Sequence, residues 1–252
     1  MINNFKDILY TFARRKFSTD ETYALPLNIS NSTFLSSFPR SGNTAFRLAM
    51  AAATSGDIME PTKIDEVTID LFQTKIKKII EIKKSSNCIV KWHGYPYPMH
   101  DHNYCIYVLR DPISVCRSYY TYQTYRWKTS NKSPREYVSD FLHFGDEIFG
   151  TWSNHVSLWS TYCRKTDNLI VSFDDLIHRP EKICSQIKVT TKYETFDEEK
   201  FCEAINTKVS LKNKNGIDFF GEKRGHDEIM LEIDRQKESF SLLEELYKSV
   251  LK

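Results

Sequence analysis

Two short segments of this chain have the residue types and spacing to hold an anion. In Phe38-Pro39-Arg40-Ser41-Gly42-Asn43-Thr44 a turn links an apolar run to a helical pattern. A helix start offers free N–H groups and partial positive charge, so phosphate binds there readily. Gly42 allows close approach of backbone to an oxygen. Ser41, Asn43 and Thr44 supply side-chain hydrogen-bond donors, and Arg40 a fixed charge. A capped helix behind an ordinary turn would read the same way. The segment is not a nucleoside-triphosphatase P-loop, which needs two glycines followed by lysine. Here one glycine stands after the cation.

The second segment is Val108-Leu109-Arg110-Asp111-Pro112, continued to Ser118-Tyr119-Tyr120. Arg110 can grip a phosphate with paired hydrogen bonds, and Ser118, two helical turns on, can add another. Taken alone, Arg110 and Asp111 also read as a structural ion pair.

The elements that must position these residues follow from periodicity. Short β-branched runs alternate with helical patterns, which predicts an α/β fold around a mostly parallel sheet. Strands are expected at 33–38, 88–92, 104–109 and 168–173. Helices are expected after Asn43, over 67–84, from Pro112, over 151–164 and over 239–251. Pro112 suits a first helical turn, where its missing N–H does no harm. In such sheets ligands bind beyond the carboxyl ends of the strands. Three strands end in chemically rich segments, at Phe38, Trp92 and Leu109, which places their motifs in one expected site.

Together the two anion segments resemble the sulfotransferase family that uses 3′-phosphoadenosine 5′-phosphosulfate (PAPS). Its first loop reads approximately Y/F-P-K-S-G-T/N-T-W and its second approximately R-D-P-x-D-x-x-x-S-Y-Y. Gly150-Thr151-Trp152-Ser153-Asn154-His155-Val156-Ser157-Leu158-Trp159 is similar to the family's G-x-W-x-x-H-V-x-x-W helix. Leu169 to Leu176, followed by Arg179-Pro180, is similar to its strand and "Y-E-D-L…P" segment. The resemblance runs from about Thr33 to Arg224. It implies one α/β domain, a central parallel sheet flanked by helices, with a P-loop-like phosphate-binding strand–loop–helix. It also implies PAPS as co-substrate, with Arg40, Ser41, Gly42, Asn43 and Thr44 at the 5′-phosphosulfate and Arg110 and Ser118 at the 3′-phosphate.

Val90-Lys91-Trp92-His93 resembles the family's K-T/S-H segment, whose histidine removes the acceptor proton. A neutral imidazole can take a hydroxyl proton near neutral pH. Lys91 and Arg40 then counter charge on the sulfuryl group and the departing oxygen. This scheme needs no metal. Among rival histidines, His100 and His102 sit on a loop at the acceptor side, and His155 reads as a hydrogen-bonded packing residue. His143, His178 and His226 have no supporting motif.

Three positions depart from the family pattern. Arg40 replaces lysine, a planar and longer cation. Ala45 replaces the tryptophan that stacks on adenine, and neighbouring Phe46 points about 100° away around the helix. Phe173, at the family's tyrosine position, is then the expected aromatic wall. In the C-terminal loop, Lys223-Arg224-Gly225 fits R-K-G and is expected over the 3′-phosphate, but no tryptophan follows. The segment His93-Gly94-Tyr95-Pro96-Tyr97 resembles sulfotransferases that modify glycans or glycolipids. Tyr95, Tyr97, Met99, Tyr122, Tyr125 and Trp127 are candidate acceptor-lining residues.

Composition bounds these readings. The 252 residues are 40% hydrophobic and 13% aromatic, enough for a sizeable core. A formal charge of +2 excludes a general nucleic-acid binder, so anion recognition must be local. The six cysteines lack C-x-x-C spacing and read as buried thiols. Residues 1–32 form an amphipathic segment and connector, and 33–252 the main domain. Without a signal peptide or spanning stretch, the expected compartment is cytoplasmic. Residues 5–17, amphipathic and ending basic, suit packing on the domain or peripheral membrane contact. Two rival functions share these features. A P-loop kinase would need the Walker pattern. A PAPS-binding protein without turnover draws support from Ala45, against which stand Arg40, Lys91, His93, Arg110 and Ser118.

Overall fold

A computed structural model describes residues 32–55, 68–70, 88–96, 104–126, 129–146, 149–166, 168–191, 196–207 and 225–252. The expected N-terminal segment therefore lies outside the described residues, apart from residue 32.

Five parallel strands form one sheet: β1 (Ser32–Ser37), β2 (Thr68–Asp70), β3 (Cys88–Trp92), β4 (Tyr104–Leu109) and β5 (Leu169–Ser172), in the order β2-β3-β1-β4-β5. The central strand β1 pairs with β3, Leu35 opposite Lys91, and with β4, Leu35 opposite Ile106. Its near-continuous apolar neighbours fit a sheet covered on both faces. Nine helices are described: α1 (Asn43–Ser55), α2 (Pro112–Thr121), α3 (Pro134–Ser139), α4 (Trp152–Lys165), α5 (Phe173–His178), α6 (Pro180–Thr191), α7 (Glu198–Asn206), α8 (His226–Arg235) and α9 (Lys237–Val250). Helices α2 and α3 each run on into a π-helical turn, Tyr122–Arg126 and Asp140–Phe144. No described helix is long and apolar enough to cross a membrane.

Strand alternation sorts the core into two layers. Phe34, Val90, Trp92, Tyr107 and Leu109 face α2, α3, α4, α8 and α9, where Val115, Tyr137, Trp152, Trp159 and Phe240 are buried. Leu35, Ile89, Ile106 and Val108 face α1, α5, α6 and α7, where Phe46, Met50, Leu176 and Phe201 are buried. The helix after β1 thus covers one face and the helix after β4 the other. The strand order reverses between these neighbours, which is where a doubly wound sheet opens a crevice.

The expected elements recur with shifted ends, and one differs in kind. Thr68–Asp70, expected to begin a helix, is a strand paired to β3, with Ile69 opposite Val90. Pairing with β3 decides the state of these three residues, which local apolar spacing leaves open. The rest of that expected helix lies outside the described residues. Among the described cysteines, Cys105, Cys116, Cys163, Cys184 and Cys202 are free thiols, as their apolar settings imply.

Candidate active site

Four adjacent strands, β3, β1, β4 and β5, each deliver one expected site segment at their carboxyl ends. The loop after β1 is built from unusual backbone. Arg40 has φ 70° and Gly42 φ 102°, and the buried Ser41 donates its N–H to Phe38 O at 3.2 Å. Positive φ at a non-glycine residue is a strained state that surrounding contacts must hold. Those contacts come from β4 and its helix. Arg110 Nη1 donates to Arg40 O at 3.0 Å, and Arg40 Nε donates to Ser118 Oγ at 3.1 Å. The Arg40 guanidinium also lies over the Tyr122 ring, 4.6 Å from its centroid. The two anion segments are therefore one connected unit.

Arg110 stacks on Phe173, 4.5 Å from the ring centroid. Burial pulls its guanidinium below its usual pKa, opposed by Asp111, Asp174 and Tyr247. Asp111 does not sit as a simple ion-pair partner. Its carboxylate caps α2, accepting from Ser114 N at 2.7 Å. Tyr247, from α9, reaches Ser172 at 3.4 Å and Asp174 at 3.5 Å, an amphipathic-helix residue that no sequence signal singled out.

Phe173 also packs against Gly42. A Cβ added at Gly42 would lie 2.2 Å from the Phe173 ring. The room that glycine was expected to leave for an oxygen is, beside its Cα, given to this ring. Gly42→Ala would combine backbone strain of at least about 1 kcal/mol with a ring clash. For a chain of this size about 2–4 °C of melting temperature follows each kcal/mol. Thermal unfolding of Gly42→Ala is expected several degrees below the parent, with Phe173→Ala in the same chain restoring only part of the loss.

Other expected loop donors divide. Asn43 turns its amide inward, donating to Leu35 O at 3.0 Å and Ser37 Oγ at 3.3 Å. Its side-chain amide, expected from sequence as an anion donor, here ties the helix start to β1. Thr44 and Ala45 are half-buried on the first turn of α1. Phe46 faces the core, edge-on to Phe201 at 5.7 Å, as its angular position required.

His93 stands one residue past β3. Its ring Nδ1 lies 2.7 Å from Ser37 O and 3.4 Å from Ser37 Oγ. A bond to a carbonyl requires Nδ1 to carry the proton, which places the lone pair on Nε2. Phe149 meets the imidazole edge-on at 5.9 Å. Sequence reading had named neither Ser37 nor Phe149. Lys91, half-buried, shares the strand face of Ile89. Tyr95 lies beside Gly150, whose Cβ, if present, would fall 1.9 Å from the Tyr95 hydroxyl. Gly225 (φ 71°) starts α8 against Tyr125 and Tyr120, beside the helix that carries Ser118. Lys223, Arg224, Tyr97, Met99, His100, His102 and Trp127 lie outside the described residues.

The geometry can be set beside known proteins. The family model for the sulfotransferase domain matches residues 30–189. A 3-beta-hydroxysteroid sulfotransferase of Cavia porcellus is 34% identical over 98 residues, 36% of this chain and 33% of that protein. The matched part is thus about a third of that relative's length. The crystal structure of a mouse sulfotransferase complexed with PAP aligns with TM-score 0.60 and 19% identity, over 91% of this chain and 96% of that one. Retinol dehydratase in complex with androsterone and inactive cofactor PAP aligns with TM-score 0.58 and 16% identity, over 98% and 86%. Because the family match covers more than half of the chain and takes in all five strands of the sheet, the chain belongs to the sulfotransferase domain family.

Proposed function

We propose that this protein is a PAPS-dependent sulfotransferase that moves a sulfuryl group to an acceptor hydroxyl, with His93 as general base. The observation that carries the reading is the joined pair of anion segments, Arg110 to Arg40 O and Arg40 to Ser118, set beside a strand-end histidine. A donor with phosphates on both the 3′ and the 5′ oxygen of one ribose needs two cationic stations. Arg40 and Arg110 supply them, held a fixed distance apart by their own hydrogen bonds.

The residues fit the donor chemically. Arg110, half-buried and charged, offers a planar fork to the 3′-phosphate, with Ser118 as a further donor. Arg40 and the start of α1 face the 5′-phosphosulfate. The acceptor oxygen attacks sulfur as the bond from sulfur to the 5′-phosphate oxygen breaks. His93 Nε2 takes the hydroxyl proton, and adenosine 3′,5′-bisphosphate leaves with its new charge countered by Arg40 and Lys91. As in phosphoryl transfer, most of the acceleration comes from position and electrostatics.

The acceptor class is a hydroxyl on a ring-bearing molecule. Phe149 and Tyr95 bring aromatic faces near His93, and such faces suit a sugar ring, a phenol or a steroid nucleus. The Cavia porcellus relative is named for a hydroxysteroid, and the dehydratase was crystallised with androsterone. The glycan or glycolipid acceptor implied by the segment after Lys91 stands within the same class.

Isothermal titration tests the donor assignment. Adenosine 3′,5′-bisphosphate is expected to bind at least about tenfold tighter than ATP or adenosine 5′-phosphosulfate, since a charged hydrogen bond to the 3′-phosphate contributes about 1.5–3 kcal/mol. Equal affinity with and without a 3′-phosphate would refute it.

A further inference from the structure

The chain folds a second histidine beside the first and seals it from water. His155, on α4, is fully buried, and the scheme above gives it no task. Its Nε2 lies 3.0 Å from His93 O, and its Nδ1 lies 2.9 Å from the Tyr107 hydroxyl. Two tryptophans repeat the motif on the next two residues. Trp159 Nε1 donates to Gly94 O at 2.9 Å, and Trp92 Nε1 donates to Tyr95 O at 3.0 Å. Three consecutive carbonyls beyond the end of β3 are thus each held by a ring N–H.

We infer that His155 is a positioning residue that, with Trp159 and Trp92, locks the backbone of His93 in register with the anion loop. This rests on the reading of His93 as the base.

The direction of the hydrogen bonds carries the argument. The His93 carbonyl can only accept, so His155 Nε2 carries the proton shared with that oxygen. In the neutral ring Nδ1 is then the bare nitrogen, so the Tyr107 hydroxyl donates to it. The two bonds together fix the tautomer of His155. Burial holds His155 down at about pKa 4, so the ring is neutral at physiological pH and has a single N–H to give. His93 is therefore tied to the start of the loop twice. Its imidazole bonds Ser37 O directly, and its carbonyl is held by His155, whose ring packs edge-on against Phe38, the residue that opens the anion loop. Any shift of the loop that holds the donor moves the base with it. For proton transfer to an oxygen attacking that donor, this shared register is what matters.

A packing role alone predicts something different. His155 is ringed by Phe38, Tyr95, Tyr107 and Trp159, with centroids 5.5 to 6.5 Å away. Phenylalanine would suit that setting. Glutamine would suit it less, but its amide nitrogen reaches the position of Nε2.

The test uses the full chain with nitrogen-15-labelled histidine, comparing wild type with His155→Phe and His155→Gln, and using His93→Gln to assign signals. Nuclear magnetic resonance is expected to show His93 fixed in the Nδ1–H form in wild type, averaged between forms in His155→Phe, and fixed again in His155→Gln. Turnover of labelled PAPS with a simple phenol is expected to fall about tenfold to a hundredfold in His155→Phe and to recover largely in His155→Gln. Affinity for adenosine 3′,5′-bisphosphate should stay within about twofold, because the neighbours of His155 include neither Arg40 nor Arg110. If His155→Phe does not fold, Tyr107→Phe decides, since it removes only the hydroxyl that sets the tautomer and must likewise release the His93 ring. Unchanged His93 signals in the folded variant would overturn the inference, as would equal damage from phenylalanine and glutamine. A wild type that transfers no label would refute the sulfotransferase reading instead, and the ring signals would still decide the positioning role.

Discussion

His93→Ala is expected to lower turnover by roughly 10²–10⁴-fold, the usual contribution of a general base. Affinity for adenosine 3′,5′-bisphosphate should meanwhile stay within about twofold of the parent value. The split follows from position. His93 hangs from the end of β3 and bonds Ser37 O, whereas the proposed cationic stations, Arg40 and Arg110, lie on the loops after β1 and β4. Removing the imidazole leaves both stations and their mutual bonds in place. His93→Gln sharpens the result, because it keeps a polar side chain of similar reach without a titratable nitrogen. The parent rate should rise with pH as the imidazole loses its proton, and the residual rate of the glutamine variant should lack that rise. A simple phenol serves as acceptor in both assays. Near-parental turnover in both variants, with binding intact, would move the base to another residue, and His100 and His102 would be tested next.

Much of the site was legible because its motifs combine chemistry with punctuation. Arg40 and Gly42 stand where a strand stops and a helix starts, and Asp111-Pro112 carries both an N-cap and a first-turn proline. Such punctuation brings the strand ends side by side from sequence alone. The capping box of Ser133 and Glu136 marks the start of α3, a helix of only six residues, too short to show a helical apolar period. Thr68–Asp70 was misread for the opposite reason. Its apolar spacing continues a helical period, and only the neighbouring strand decides that three residues become sheet edge.

What sequence could not supply is the set of contacts made across the sheet. Ser37 as partner of His93 depends on the parallel register of β1 with β3, in which Ser36 stands opposite Trp92. Phe173 at Gly42 depends on β5 lying beyond β4. The inward turn of the Asn43 amide depends on the curl of the loop at positive φ, and Tyr247 arrives from more than seventy residues away in sequence. None of these has a local signature. His155 is the intermediate case. Its tryptophan-rich helix marked it as a buried, hydrogen-bonded histidine, while its partner, the carbonyl of His93, emerges only from the packing of α4 on β3 and β4.

Arg110→Ala should weaken binding of adenosine 3′,5′-bisphosphate by about tenfold to a hundredfold. A charged hydrogen bond contributes roughly 1.5–3 kcal/mol, and each 1.4 kcal/mol is a factor of ten. The fold should survive, since Arg110 follows β4 at its end and its aliphatic stem is not part of either core layer. Two routes lead to the same loss, however. Arg110 can contact the 3′-phosphate itself, or it can act by holding Arg40 O and so shaping the loop for the 5′ end. Adenosine 5′-monophosphate separates them, because it lacks only the 3′-phosphate. Direct contact predicts that the advantage of the bisphosphate over the monophosphate collapses in Arg110→Ala, while monophosphate affinity barely moves. Loop shaping predicts that both ligands weaken together and the ratio persists. Arg110→Lys adds a second axis: it keeps the charge but loses the planar fork and the stack on Phe173, so a bidentate contact is only partly restored. A preserved ratio in Arg110→Ala would assign the 3′-phosphate to other residues and leave Arg110 as the brace that holds Arg40 at positive φ.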